Sequence, residues 1–171
     1  HLNSKVAGGR DAFLQRIDGI VFGDNPDQGI ARGNAFLHPV LRLRIDFPNG
    51  WEIQNTPQQV MAKAPGADVF MLLQLVEQPR GRNIEEIALN SMSRSGFRVV
   101  QGGRTTINGL DAFVGVYEGQ IEGLGPVATR AAHIAHNKNV YVVAGLATPR
   151  AFEQADGAFT TSIRSFRALS A

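Results

Sequence analysis

The stretch DVFMLLQLVEQ is apolar on both faces of a β-strand and constrains the fold more than any other part of the sequence. Successive residues of a strand point to opposite sides of a sheet. Val69, Met71 and Leu73 therefore share one side, and Phe70 and Leu72 share the other. A strand that is apolar on both sides is expected in the centre of a sheet, with a further layer packed on each face.

Strand alternation recurs before and after this stretch. LRLRIDFP alternates apolar and charged residues, and after the PNG turn the alternation resumes in WEIQN, which predicts a hairpin over Leu41–Asn55. QVMAKA is predicted as a further strand. The turn signals NG, EGLGP and NKN separate four further predicted strands, which are FRVVQGGRTTI, DAFVGVYEGQI, VATRAAHIAH and NVYVVAGLA. This run predicts an antiparallel meander.

Helical signals interrupt the strands at two places. Asn83 and Glu86 have the capping-box spacing and begin an apolar stripe that ends at Gly96. Pro149 suits the first turn of a closing helix, which Gly157 weakens by about 1 kcal/mol relative to alanine. The order of strands, helix, four strands and helix predicts an α+β fold, a mostly antiparallel sheet of about six to eight strands flanked by helices.

The chain divides into a leading segment and one domain. RDAFLQRIDG predicts a short helix, and Gly23 to Gly33 is dense in Asp, Asn, Pro and Gly, which is typical of a linker. Residues 1–35 are therefore predicted to be a leader, a short helix and a linker, and residues 36–171 a single α+β domain. Because the sequence begins with His rather than Met, we expect a processed form or a piece of a longer chain.

The composition argues against several functional classes. The chain has 17 Lys and Arg against 15 Asp and Glu, a formal net charge of +2, and its basic residues are dispersed. That pattern does not favour a nucleic-acid partner. Cysteine is absent, which excludes disulfides and thiolate sites within this chain. No apolar stretch approaches the roughly 18 residues needed to cross a bilayer, so no membrane span is predicted.

A search for catalytic and metal-binding motifs predicts that this chain is not an enzyme and carries no metal or cofactor. H-E-x-x-H and G-x-S-x-G are absent. His133 and His136 are three residues apart in a predicted strand, so their side chains point to opposite faces. DNPDQG departs from a calcium loop because Pro26 and Gln28 stand at ligand positions. GLGPVA has dinucleotide-motif spacing, but a strand is predicted after it, which favours a hairpin turn.

Three residues are candidates for contact with a partner. Arg42 and Arg44 are predicted on one face of a strand, where they could bind an anion or a carboxylate, although a solvated outer face is the usual setting for arginine. Trp51 follows a turn at the start of a strand. Anchoring in the core is the favoured interpretation of Trp51, and ligand stacking is the alternative.

Several segments resemble a known family. RIDGIVFGDNPDQGIARGNAFLHPVLRLRIDFPNGWEIQNTP resembles the segment that follows the catalytic domain in a group of bacterial zinc metallopeptidases of the M48 family. In those proteins R-x-D-G-L-V-x-G-D-D-P-x-x-G leads into F-L-H-P and an F-P-x-G-W hairpin, and INGLDAF and SIRSFRAL also look like that region. The hairpin and the closing helix ending in S-F-R are similar to the PsbP/Mog1-like α/β/α sandwich.

The resemblance implies a non-catalytic C-terminal domain of a zinc metalloendopeptidase that contributes to substrate docking or to regulation of proteolysis. Its expected partners are the upstream protease domain and protein clients, in the periplasm or the cell envelope. Zinc is then expected in the parent's catalytic domain, since this chain lacks H-E-x-x-H. The alternative is a stand-alone PsbP/Mog1-like module of the cell envelope that binds a ligand or a protein, and a small independent enzyme ranks third.

Overall fold

The computed structural model describes residues 29–55 and 59–169, and within these ranges it contains eleven strands and two helices. The short helix predicted in RDAFLQRIDG lies outside the described residues. The strands are β1 Ile30–Arg32, β2 Ala35–His38, β3 Leu43–Asp46, β4 Glu52–Asn55, β5 Gln59–Lys63, β6 Val69–Leu75, β7 Arg98–Ile107, β8 Leu110–Ile121, β9 Gly125–His136, β10 Asn139–Ala147 and β11 Arg167–Ala168. The helices are α1 Ile84–Arg94 and α2 Pro149–Arg164.

Seven strands form a large antiparallel sheet in the order β4-β5-β6-β10-β9-β8-β7. β6 lies inside this sheet, between β5 and β10, as its two apolar faces predict. β7 to β10 pair successively as the predicted meander. Asn108 and Gly109 both have positive φ, which suits the two-residue turn between β7 and β8. The predicted α+β class with a mostly antiparallel sheet is confirmed.

A second antiparallel sheet has four strands in the order β1-β2-β3-β11 and corrects two sequence predictions. β3 and β4 do not form the predicted hairpin, because β3 pairs with β2 and β11 whereas β4 pairs with β5. The PNG turn redirects the chain from one sheet to the other. Ile30–Arg32, predicted as linker, is a strand of this second sheet.

The face of the large sheet that carries α2, here called the α2 face, holds the main hydrophobic core. The second sheet packs over this face as well, so that Ile45 and Phe36 join the same cluster as Met71 and Val143. A Cβ at Gly145 of β10 would overlap the ring of Phe159 on α2. Glycine is therefore required at this position, because α2 approaches the strand too closely for any side chain.

The opposite face of the large sheet, here called the α1 face, is packed by α1. Ile84, Ala88 and Met92 are the buried residues of α1. The helix packs on β7, β8 and β9. With that helix on one face and α2 on the other, the three layers inferred from β6 are present.

The starts of both helices follow their sequence signals in part. The N–H of Glu86 donates to Asn83 Oδ1 at 2.9 Å, so the predicted N-cap is confirmed. The carboxylate of Glu86 accepts from the N–H of Arg82 at 2.9 Å instead of returning to Asn83, so the capping box is only half formed. Pro149 occupies the first turn of α2 as predicted. The apolar stripe continues past the end of this helix, since Phe166 follows its C-cap Ser165.

Candidate functional site

A cavity of about 640 Å³ lies on the α1 face of the large sheet, beside α1. α1 packs on β7 to β9, and the cavity lies over the neighbouring strands β6 and β10. Its floor is apolar and consists of Leu72, Val142, Ala144 and Leu146. Ser91 and Met92 contribute a wall from α1.

The strand register gives the cavity a direction. Gln74 pairs with Val142, and Leu72 pairs with Ala144 two residues further along. The cavity therefore follows the strands, with Gln74 and Glu77 near one end, here called the Glu77 end. Neutral and acidic groups line that end.

The opposite end of the cavity carries Thr129, Gln120, Ser95 and Arg94 and is here called the Arg94 end. Thr129 pairs with Leu146 of β10, beyond the floor residues already described. The C-terminus of α1 lies at the same end, because the ring of Phe97 covers Gly119 of β8. Hydroxyl groups and a guanidinium therefore lie at this end of an apolar floor.

Thr129 is buried yet has an unsatisfied hydroxyl. Its exposed fraction is 1%, it lines the cavity, and Oγ1 has no hydrogen-bond partner among the described residues. Tyr117 lies directly opposite on β8 and is also fully buried, and its hydroxyl is likewise unpartnered within the described chain. Burial raises the pKa of Tyr117 to about 12, so this hydroxyl stays protonated. A buried hydroxyl without a partner is costly, so these two enclosed hydroxyls are uncompensated polar groups beside the cavity.

His133 is a further buried polar group of the α1 face, although it does not line the cavity. It is 0% exposed, between Phe113 of β8 and Val142 of β10. Neither ring nitrogen has a hydrogen-bond partner within residues 29–55 and 59–169. Burial lowers the pKa of His133 to about 4, so the ring is neutral at physiological pH.

The two histidines considered as metal ligands lie on opposite faces of β9, as the odd spacing predicts. His136 is on the α2 face, where Nε2 lies 2.8 Å from the carbonyl oxygen of Arg42 and 3.1 Å from that of Leu41. Within the described part of the chain, no three His, Cys, Asp or Glu side chains are grouped to hold a metal ion. GLGPVA comprises the end of a turn and the first four residues of β9 rather than a helix start.

The three residues singled out for partner contact are dispersed in the structure. Arg42 is not on the predicted strand face with Arg44, since it lies in a turn before β3 with a φ of 62°. Arg44 Nε donates to Asp46 Oδ1 at 3.0 Å, so this guanidinium is engaged within the chain. Trp51 packs edge-on to Phe159 with ring centroids 6.4 Å apart, as the core-anchor interpretation predicts. None of the three lines the cavity.

The cavity itself was not predicted from the sequence. Thr129 and Arg94 are ordinary residue types for a strand and a helix end, and nothing in their spacing marks them as a site. The available signal was indirect. β9 and β10 carry several small residues on the α1 face, among them Ala131 and Ala144, and small side chains leave room above a sheet.

These features define the chain as an α+β protein with the PsbP-like fold, an antiparallel sheet between helical layers with a small second sheet on one side. No family model matches the chain, and no curated protein matches it. Among solved structures, cyanobacterial PsbP (CyanoP) from Synechocystis sp. PCC 6803 is similar, with a TM-score of 0.54 and 9% identity, over 88% of this chain and 98% of that one.

Two further solved structures share the fold. The protein of unknown function PA94 from Pseudomonas aeruginosa has a TM-score of 0.57 at 14% identity, over 75% of this chain and 92% of that one. LpqN of Mycobacterium tuberculosis, described as involved in cell envelope biogenesis, has a TM-score of 0.50 at 13% identity, over 83% and 90%. None of the helices in the described residues is long and apolar enough to cross a membrane.

Proposed function

We propose that this chain is a non-catalytic binding module of the cell envelope, and that its ligand occupies the cavity between α1 and strands β6 and β10. The observation that carries the proposal is the cavity itself. It has an apolar floor, hydrogen-bonding groups at its rim and an unsatisfied buried hydroxyl at Thr129. Small-molecule sites in proteins are mostly apolar with a few well-placed polar groups, and they fall in this range of volume.

Two considerations support a binding role over catalysis. Among the described groups, His133 and Tyr117 have the pKa values that burial shifts most clearly. Neither side chain lines the cavity. The charged residues that do line it, Arg94 and Glu77, lie at opposite ends. General acid–base chemistry requires such groups within hydrogen-bond reach of one reacting atom. A neighbour with the same fold, LpqN, is described as involved in cell envelope biogenesis, which favours an envelope location, and we propose the periplasm.

A pair of substitutions on α1 tests the site. Ser91 lines the cavity and is half-buried, whereas Ser93 is exposed and does not line it. Ser91→Trp should fill the cavity from its helix wall, and Ser93→Trp is the matched control on the same helix. A fragment set is screened against the wild-type protein by NMR chemical-shift perturbation, with both variants run in parallel.

We expect fragments to shift resonances of the floor residues, with binding lost in Ser91→Trp and retained in Ser93→Trp. Circular dichroism and thermal unfolding establish that both variants are folded. Fragments that bind Ser91→Trp as well as wild type, or a screen with no hit at the cavity, would refute the proposed site.

The accessory role in a zinc metalloprotease is the second candidate, and the sequence resemblance described above is what favours it. The most specific block of that resemblance, residues 16–57, falls partly outside the described residues, which begin at Gly29. Sequencing the natural reading frame upstream of residue 1 tests this role. An in-frame H-E-x-x-H with a downstream Glu would support it, and a start codon preceded by no protease domain would exclude it.

A further inference from the structure

We infer that the ligand of the cavity is a linear aliphatic carboxylate, with its carboxylate at the Arg94 end and its chain along the floor formed by β6 and β10. This inference rests on the proposed function and specifies its ligand. It follows from the shape of the floor, from the charge at each end and from the unsatisfied hydroxyl of Thr129.

The floor suits a single unbranched chain. The cavity runs from Leu146, which lies opposite Phe70, to Val76 just past the end of β6. This distance is six residue steps along the chain, or about 20 Å. Leu72, Val142 and Ala144 supply apolar surface over this length. An extended aliphatic chain would cover that surface continuously, and each CH₂ that it buries adds to the affinity.

The charges at the two ends orient such a ligand. The side chain of Arg94 makes no ion pair or hydrogen bond among the described residues, so its guanidinium is available to an incoming anion. Thr129 Oγ1 is an unsatisfied donor at the same end, and because protein atoms enclose it, a carboxylate reaches it only when neighbouring side chains move. Charge-assisted hydrogen bonds to carboxylate are the stronger class, and Arg can make two of them at once. Glu77 at the other end would repel a carboxylate, which favours one orientation of the chain.

Isothermal titration calorimetry with decanoate and 1-decanol tests the inference, because the two probes share a chain and differ in charge. Thr129→Val removes the hydroxyl at nearly constant shape, and Arg94→Gln removes the charge. Thr106→Val on the exposed strand β7 and Arg150→Gln at the exposed start of α2 are the matched controls. We expect decanoate to bind the wild type more tightly than 1-decanol.

Arg94→Gln should weaken decanoate binding about tenfold and leave 1-decanol unaffected, since it removes a charge-assisted bond. Thr129→Val should weaken decanoate binding roughly three- to tenfold, since it removes one hydrogen bond. The two controls should change nothing.

Three results would overturn the inference. The first is equal binding of the two probes, and the second is decanoate binding that neither Arg94→Gln nor Thr129→Val weakens. The third is the absence of decanoate binding to the wild type. If fragments still bind the wild type and fail to bind Ser91→Trp, then only the ligand assignment is wrong and the proposed function stands. If the wild type binds neither decanoate nor any fragment at the cavity, then the proposed site is wrong as well.

Discussion

Replacing His133 should abolish a component of acid sensitivity that the fold creates by burying an unpaired imidazole. The side chain is 0% exposed, and both ring nitrogens are unpartnered within the described residues. Its pKa is about 4 in the folded chain against 6.5 as the ordinary value. In this window the unfolded chain binds a proton that the folded chain does not, so the free energy of unfolding falls as pH decreases from about 6.5 towards 4.

The size of this effect follows from the two pKa values. Each unit of difference corresponds to 1.36 kcal/mol, so the full loss by pH 4 is roughly 3 kcal/mol, of which about 2 kcal/mol appears between pH 7 and pH 5. Above pH 7 both states carry a neutral ring, and the contribution vanishes. His133→Phe keeps an aromatic ring at this position and removes the titration.

Urea unfolding of the wild type and His133→Phe across pH 7 to 5 provides the assay. The difference in unfolding free energy between the two proteins should grow by about 2 kcal/mol in favour of the variant, or about 1 M in urea midpoint. His133→Gln should show the same trend with a different offset, so the result does not depend on how well a phenyl ring fits. A difference that stays constant with pH would show that His133 is hydrated or paired, and the reasoning would fail.

Four other substitutions have definite expected outcomes. Gly157→Ala should raise the melting temperature by about 3 °C, since a Cβ at this position meets nothing within 4 Å and alanine favours a helix by about 1 kcal/mol. Gly145→Ala should lower the free energy of unfolding by about 1–3 kcal/mol, because its Cβ would overlap Phe159 of α2. Tyr117→Phe should raise the unfolding free energy by about 1–3 kcal/mol in thermal denaturation, because it removes a buried hydroxyl that has no partner among the described residues. Asp156→Asn should lower the unfolding free energy by about 1 kcal/mol in urea titrations, since it breaks the partly buried two-point pairing with Arg130.

Local signals in the sequence were sufficient to predict those features that depend only on a few adjacent residues. The two apolar faces of β6, the cap at Asn83 and the turn at Asn108 were all predicted from a few adjacent residues. The proposed hairpin of β3 and β4 failed for a physical reason. The partners of β3 are β2 and β11, and β11 lies more than 120 residues further along the chain. The PNG turn is compatible with either pairing, so only tertiary packing decides between them.

The candidate site was not predicted because it, too, depends on tertiary packing. The cavity is lined by residues of four separate elements, which come together only when the sheet and α1 are assembled. Examples are Leu72, Ala144, Thr129 and Arg94. Thr129 on β9 is indistinguishable in sequence from any strand threonine, yet in the fold its hydroxyl is enclosed without a partner.

The small residues of β8 to β10 connect the fold to the cavity. Gly115 pairs with Ala131, and Ala131 pairs with Ala144, so a row of minimal side chains crosses the α1 face. The ring of Tyr117 lies over Gly115, where a Cβ would come within 3.2 Å of it, and α1 packs above. Ala144 also has a small side chain, and the space above it is part of the cavity. The same choice of small residues that seats α1 on the sheet thus also creates the space beside it, which explains why the proposed binding site lies alongside this helix.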